Sequence, residues 1–222
     1  MYKIEKENLE ALFRKIAESQ DLILPIKKAG QTNFGLWNEE EEADLETLKT
    51  VKSGKDAFFP QSETLYTVVR DGKKLTVEPE ALRNRPFVVF GMKACDVKGV
   101  AVLDKVFLAD PVDTFYAARR EHGTIVAMAC HEPEESCFCK VFGTDAADPS
   151  ADADGDTKGI ADVAVWMVEG SLYWKALTGK GETLTEAVKE LLTPSDDGQA
   201  KVDAEKEAIR SIVEKLPYTH LS

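Results

Sequence analysis

The chain holds four cysteines, Cys95, Cys130, Cys137 and Cys139, and the last three fall in the ten-residue run C-H-E-P-E-E-S-C-F-C. Four thiolates are the number that closes a tetrahedral zinc site or holds a four-iron cluster. Their softness selects zinc or iron–sulfur over hard cations. The C-x6-C-x-C spacing matches neither the ferredoxin nor the zinc-finger pattern. From spacing alone, four cysteines with no common site therefore remain an alternative. Cys95 sits where a strand pattern gives way to a helix pattern. There the helix dipole favours its thiolate, so a low-pKa redox nucleophile is a further reading. His131, beside Cys130, is an extra donor for a zinc variant, although a loop histidine is its commoner role.

The elements around these thiols are legible from periodicity. Phe87-Val88-Val89-Phe90-Gly91 reads as a buried strand, and Val97, Val100, Ala101, Leu103, Val106 and Phe107 follow at helical spacing. Thr124 to Ala129 reads as a second apolar strand, with a helix over 112–121 before it that Gly123 ends. Cys95 and Cys130 therefore both fall just beyond the C-terminal ends of strands. In open α/β sheets that edge gathers ligands, and the two thiols meet there if the strands are parallel neighbours.

Further out, Leu9, Leu12, Phe13 and Ile16 mark one helical face, and Asp21 to Ile26 a strand. Asp71-Gly72, between runs at 64–70 and 74–78, and Glu169-Gly170, between runs at 161–168 and 171–176, predict two hairpins. Two helices are expected over 182–192 and 202–215, and surface loops at the acidic 38–48 and the Asp- and Gly-rich 144–158. The predicted class is α/β, with α+β as the alternative: a mixed, partly parallel sheet flanked by helices, with β-hairpins, in a single domain over 1–222.

Composition limits the function. With 222 residues, 43% hydrophobic and a formal charge of −12, the chain is a globular acidic protein. That charge disfavours nucleic acid or anionic membrane as a partner. No apolar run is long enough to span a bilayer, and no leader-type apolar segment stands near Met1, so a cytoplasmic setting is expected. There, sparse cysteines serve metal or redox chemistry rather than disulfides. Asp152, Asp154 and Asp156 fail the calcium-loop pattern for want of a correctly placed Gly and a closing Glu. No phosphate-binding or nucleophile-elbow motif occurs. Arg119-Arg120 suits an anion clamp, a partner contact or a solvated helix end.

Four segments, in order, resemble a family of iron–sulfur electron-transfer subunits among the 4Fe–4S dicluster-containing proteins. The family is typified by the beta subunits of sulfhydrogenase (nickel–iron hydrogenase) and by the matching iron–sulfur subunits of anaerobic sulfite reductase. Phe58-Phe59-Pro60-Gln61-Ser62-Glu63 is similar to their F-x-P-Q-x-E-x-L. Phe90-Gly91-Met92-Lys93-Ala94-Cys95-Asp96, with Ala101 and Leu103-Asp104, is similar to F-G-x-R-x-C-D…A-x-x-x-L-D. Asp113, Tyr116 and Arg119-Arg120 follow D-x-x-Y-x-x-R-R, and Cys130, Cys137-Phe138-Cys139 and Gly143 follow C-x-E-P…C-F-C…G. The match runs over about residues 50–175. Lys93 stands where Arg is usual, keeping the charge but not the planar fork.

The resemblance implies that Cys95, Cys130, Cys137 and Cys139 hold an iron–sulfur cluster of the [4Fe–4S] kind. Lys93, Asp96 and Arg120 are then candidates for tuning the cofactor from beside it. It implies an electron-relay component of an anaerobic oxidoreductase rather than a complete enzyme, with other subunits of a redox complex as partners. The alternative is a docking scaffold with a structural zinc on the same thiols. Such subunits continue into a two-cluster ferredoxin module whose cysteine repeats are absent here, so residues 200–222 are expected to be its lead-in.

Overall fold

A computed structural model describes residues 1–151 and 157–217. The sheet elements are β1 (Tyr2–Glu5), β2 (Asp21–Lys28), β3 (Gln31–Leu36), β4 (Glu42–Ala43), β7 (Phe87–Met92), β8 (Gly123–Met128), β9 (Val163–Val168), β10 (Ser171–Ala176) and β11 (Thr193–Pro194). They form one nine-stranded sheet in the order β11-β1-β10-β9-β8-β7-β2-β3, with β4 on β2. The middle pairs, β2–β7, β7–β8 and β8–β9, are parallel, and every other pair is antiparallel. The expected mixed α/β sheet is thus the observed one. Two further strands, β5 (Tyr66–Asp71) and β6 (Lys74–Pro79), make the predicted Asp-Gly hairpin but stand apart as their own two-stranded sheet.

Alternation along the central strands divides the core. Val88 and Phe90 of β7, with Val126 and Met128 of β8, join Leu9, Leu12, Phe13 and Ile16 of α1 (Leu9–Ala17) on one face. Leu184 of α4 (Gly179–Ala187) completes that face. Phe87, Val89, Ile125 and Ala127 point the other way. They meet Val97 and Val100 of α2 (Ala94–Phe107) and Tyr116 of α3 (Thr114–His122). With both faces covered, β7 and β8 are buried at every residue, which is why each reads as an unbroken apolar run.

One break in the alternation positions the site. Met92 has the parity of Val88 and Phe90 yet packs on the opposite face. The cause is a bulge between Phe90 and Met92, centred on Gly91 at φ 91°. Only glycine takes that conformation freely. A Cβ there would also meet Leu45 Cδ2 at 3.3 Å and Pro25 Cδ at 3.4 Å. The bulge flips the chain just before it enters α2.

Two predicted surface loops pack more closely than expected. In 38–48, Leu45 is buried, and Asp44 accepts hydrogen bonds from Thr32 Oγ1 (2.6 Å), Thr47 Oγ1 (2.5 Å) and the Thr47 amide (3.0 Å). In 144–158, Ala146 and Ala147 are buried, and Ala147 O accepts the Trp166 indole N–H at 2.9 Å. Asp152, Asp154 and Asp156 lie outside the described residues. The last helix, α5 (Gly198–Val213), buries Val202 and Ile209. Its Lys206 pairs with Asp148 at 2.8 Å and sits 4.7 Å from the Trp166 ring centre, so residues 200–213 pack as part of this fold. No helix among the described residues is long and apolar enough to cross a membrane.

Candidate metal centre

Beyond the parallel strands, the chain brings its four thiols to one edge of the sheet. Cys95 is the second residue of α2, and Cys130 follows the end of β8, its amide donating to Ala146 O at 2.9 Å. The loop after Cys130 folds on itself. The Cys137 amide donates to Glu134 O at 2.8 Å, and the Glu134 amide donates to Cys137 Sγ at 3.3 Å. Cys139 opens a short 3-10 turn, Cys139–Phe142, that closes on Gly143 at φ 64°. Cys130, Cys137 and Cys139 line one small cavity with Pro133 and Ala146. Cys95 reaches the same group by a hydrogen bond between its thiol and Cys139.

The thiols feel one another's charge. The hydrogen bond to Cys139, then burial, then Asp96 push the Cys95 thiol well above its usual range, while the same hydrogen bond lowers Cys139. Burial pushes Cys130 up to about 11, partly offset by the ammonium of Lys93. Among the described residues, no group of three or more His, Cys, Asp or Glu side chains is arranged to hold a metal ion. His131 lines the neighbouring wide groove with Glu46 and Glu132 instead of the thiol cavity.

Lys93 is the unusual group of this edge. It precedes α2, its side chain is buried, and its Nζ has no hydrogen-bond partner. Burial lowers its pKa, opposed by the thiols of Cys130 and Cys95 and by Asp96. An ammonium out of water with no partner is costly, and a neighbouring anion is the usual remedy. Lys93, Cys95 and Asp96 also border a cavity of about 180 Å³.

Asp96 accepts from Ser53 Oγ at 2.9 Å and pairs with Lys55. Lys49 reaches across to Glu134 and Ser136 of the cysteine loop. Residues 49–55 thus brace both cysteine-bearing segments, a role sequence reasoning missed. The available signal was the polar cluster Lys49, Ser53 and Lys55 directly before the Phe58-Phe59-Pro60 motif.

Arg120 is not brought to the thiols. It lies in the last turn of α3, before β8 begins, and so stands at the opposite edge of the parallel strands. There its Nε and Nη2 donate to Asp104 at 2.8 and 3.0 Å, and its guanidinium lies 5.2 Å from the Phe58 ring centre. Tyr116 donates to the same carboxylate at 2.6 Å, and Arg119 pairs with Glu63. Of the three residues expected to tune a cofactor, Lys93 and Asp96 are at the site and Arg120 is not.

Fold and site together define an α/β protein with a thiol cluster at the C-terminal edge of its parallel strands. Sulfhydrogenase 2 subunit beta of Pyrococcus furiosus is 30% identical to this chain over 145 residues, which is 65% of this chain and 42% of that protein. The two are distant homologues, and the chain spans less than half the length of that relative. No protein-family profile matches the chain. No solved structure matches it either.

Proposed function

We propose that Cys95, Cys130, Cys137 and Cys139 hold an iron–sulfur cluster, of the [4Fe–4S] kind, and that this chain is an electron-relay domain of a hydrogenase-beta-like subunit. The observation that supports the reading is that Cys130, Cys137 and Cys139 line one cavity and Cys95 is coupled to Cys139, close to a buried Lys93 with no hydrogen-bond partner. Thiolates are the donors that iron–sulfur clusters use. A tetrahedral zinc–thiolate site would draw its sulfurs to about 3.8 Å of one another, from Zn–S bonds of about 2.3 Å. A four-iron cluster gives each thiolate its own iron, so its ligands stand further apart. The thiols here are within electrostatic reach of one another.

Such a cluster, when bound, supplies one-electron transfer. The chain's part is to hold and tune it. Lys93 places a positive charge against thiolates that add negative charge, which favours the more reduced form. Asp96, held by Ser53 and Lys55, fixes the first turn of α2 and with it Cys95. The partners are other subunits of a redox complex, which would provide the terminal donor and acceptor. The distant homology to a protein named as a sulfhydrogenase beta subunit supports that setting.

The test is anaerobic iron, zinc and sulfide analysis of the chain beside its Cys137→Ser variant. About four iron and four sulfide per chain, falling sharply in the variant, is the expected result. About one zinc without sulfide would replace the relay with a structural scaffold.

A further inference from the structure

Helix α5 is pinned to the same short segment that holds Cys130. Lys206 pairs with Asp148 at 2.8 Å, and Arg210 Nε and Nη2 donate to Asp145 at 3.0 and 2.7 Å. Between those carboxylates, Ala146 O accepts the Cys130 amide and Ala147 O accepts the Trp166 indole N–H, each at 2.9 Å. Val202, Lys206 and Ile209 are the buried stripe of the helix. Val213 and Leu216 continue it at the same alternating spacing of four and three residues, which keeps them on one face. The chain goes on turning past the helix end, with the Lys215 and Leu216 amides donating to Ile212 O and Val213 O at 3.1 and 3.2 Å.

That stripe ends on the thiols. Val213 and Leu216 line the small cavity faced by Cys130, Cys137 and Cys139. Within 211–217 they alone are part-buried, and their neighbours are exposed. With Pro133 and Ala146 they make an apolar wall, and Lys140 also borders the cavity. Such a wall offers water few hydrogen bonds, and apolar cavities stay dry. Cys95 is placed differently. It lies outside this cavity, borders the polar one with Thr47, Thr50 and Ser53, and is exposed, although its sulfur turns inward to bond Cys139.

We infer that the last turn of α5 is an apolar seal over the Cys130, Cys137 and Cys139 side of the thiol group, and that Cys95 is the corner left open to solvent. The seal is a property of the chain itself. Its consequence for a bound cluster rests on the relay reading: the cluster would be dry on one side and approached from the Cys95 side. Solvent exposure helps to set a cluster's potential, because water stabilises the more highly charged reduced form. By excluding water, the seal keeps the potential low.

Pulse alkylation of the metal-free chain, read thiol by thiol by peptide mass spectrometry, tests the seal without any cluster. Val213→Ser with Leu216→Ser should speed labelling of Cys130, Cys137 and Cys139 several-fold and leave Cys95 unchanged. Val213→Ile with Leu216→Met should keep the wild-type rates. Ile212→Ser, in the same turn but at an exposed position, should keep them too. Unchanged labelling in the first variant, equal acceleration at all four thiols, or the same acceleration from Ile212→Ser would each overturn the inference. In the iron-loaded protein, the first variant should also lose iron to a chelator faster and show a raised reduction potential. A chain that takes up no iron would defeat the relay reading and leave the labelling result standing.

Discussion

The two ends of α2 are built from similar residue types and finished in opposite ways. At its C-terminal end, Asp104 receives Arg120 through two nitrogens and Tyr116 through its hydroxyl. Phe58 lies under the guanidinium, and Asp113 caps α3 by accepting from the Tyr116 amide at 2.9 Å. Arg119 leaves Nη1 unmatched there, but its Nη2 carries the charge to Glu63. At the N-terminal end, Lys93 has a single nitrogen, buried and unpartnered, among thiols. The charges of the first end are balanced within the chain. Those of the second are balanced only when something negative sits beside Lys93. On the proposed reading, the groups satisfied internally serve the fold and the open Lys93 serves the bound cluster.

The largest effect is expected at the balanced end. Asp104→Ala strands a guanidinium that is only 14% exposed and removes the acceptor of Tyr116. Loss of one partner of a buried ion pair costs about 3–5 kcal/mol. Chemical denaturation should show that loss, while iron content per folded chain stays unchanged. If stability held and iron fell instead, the two ends would not be separate.

Reversing the sign is the sharper test. Lys93→Met removes a buried charge with no hydrogen bond, so the metal-free chain should gain about 1–3 kcal/mol, the usual penalty of an unsatisfied buried group. The same change should speed loss of iron from the anaerobic protein and lower its reduction potential, because thiolate charge is no longer offset. A less stable metal-free variant would show that Lys93 is a structural residue like Arg120.

This division explains what was legible in the sequence. Strands β7 and β8, and the position of Cys95 and Cys130 just past their C-terminal ends, followed from unbroken apolar runs bounded by helix patterns, while their parallel pairing, given only as a condition, is the structure's contribution. The polar residues were harder. Arg120 and Lys93 are both single cations beside a conspicuous motif, and nothing local says which one finds a carboxylate. Asp104 is sixteen residues from Arg120, and the pair meets only because α2 runs back the length of β7. The bulge at Gly91 was also hidden, since glycine in an apolar run looks like a strand end. Residues 49–55 carry no periodic signal, and their bracing depends on contacts 41 and 85 positions away.

The smallest effect belongs to that brace. Lys49 bonds Glu134 and Ser136, yet it is half exposed, and so is Glu134. An exposed pair contributes about 0–1 kcal/mol, so Lys49→Ala should barely move the denaturation midpoint. Its consequence lies in the loop that carries Cys137 between Cys130 and Cys139. Freed from residue 49, that loop should open more often, exchange its amides faster around 134–137, and release iron to a chelator sooner. The strands beneath should keep their protection, because β7 and β8 are buried along their whole length. Faster exchange confined to the cysteine loop would confirm that the open end of α2 is held from outside by weak surface contacts. Equal exchange in wild type and variant would show that the Glu134–Cys137 turn holds the loop by itself.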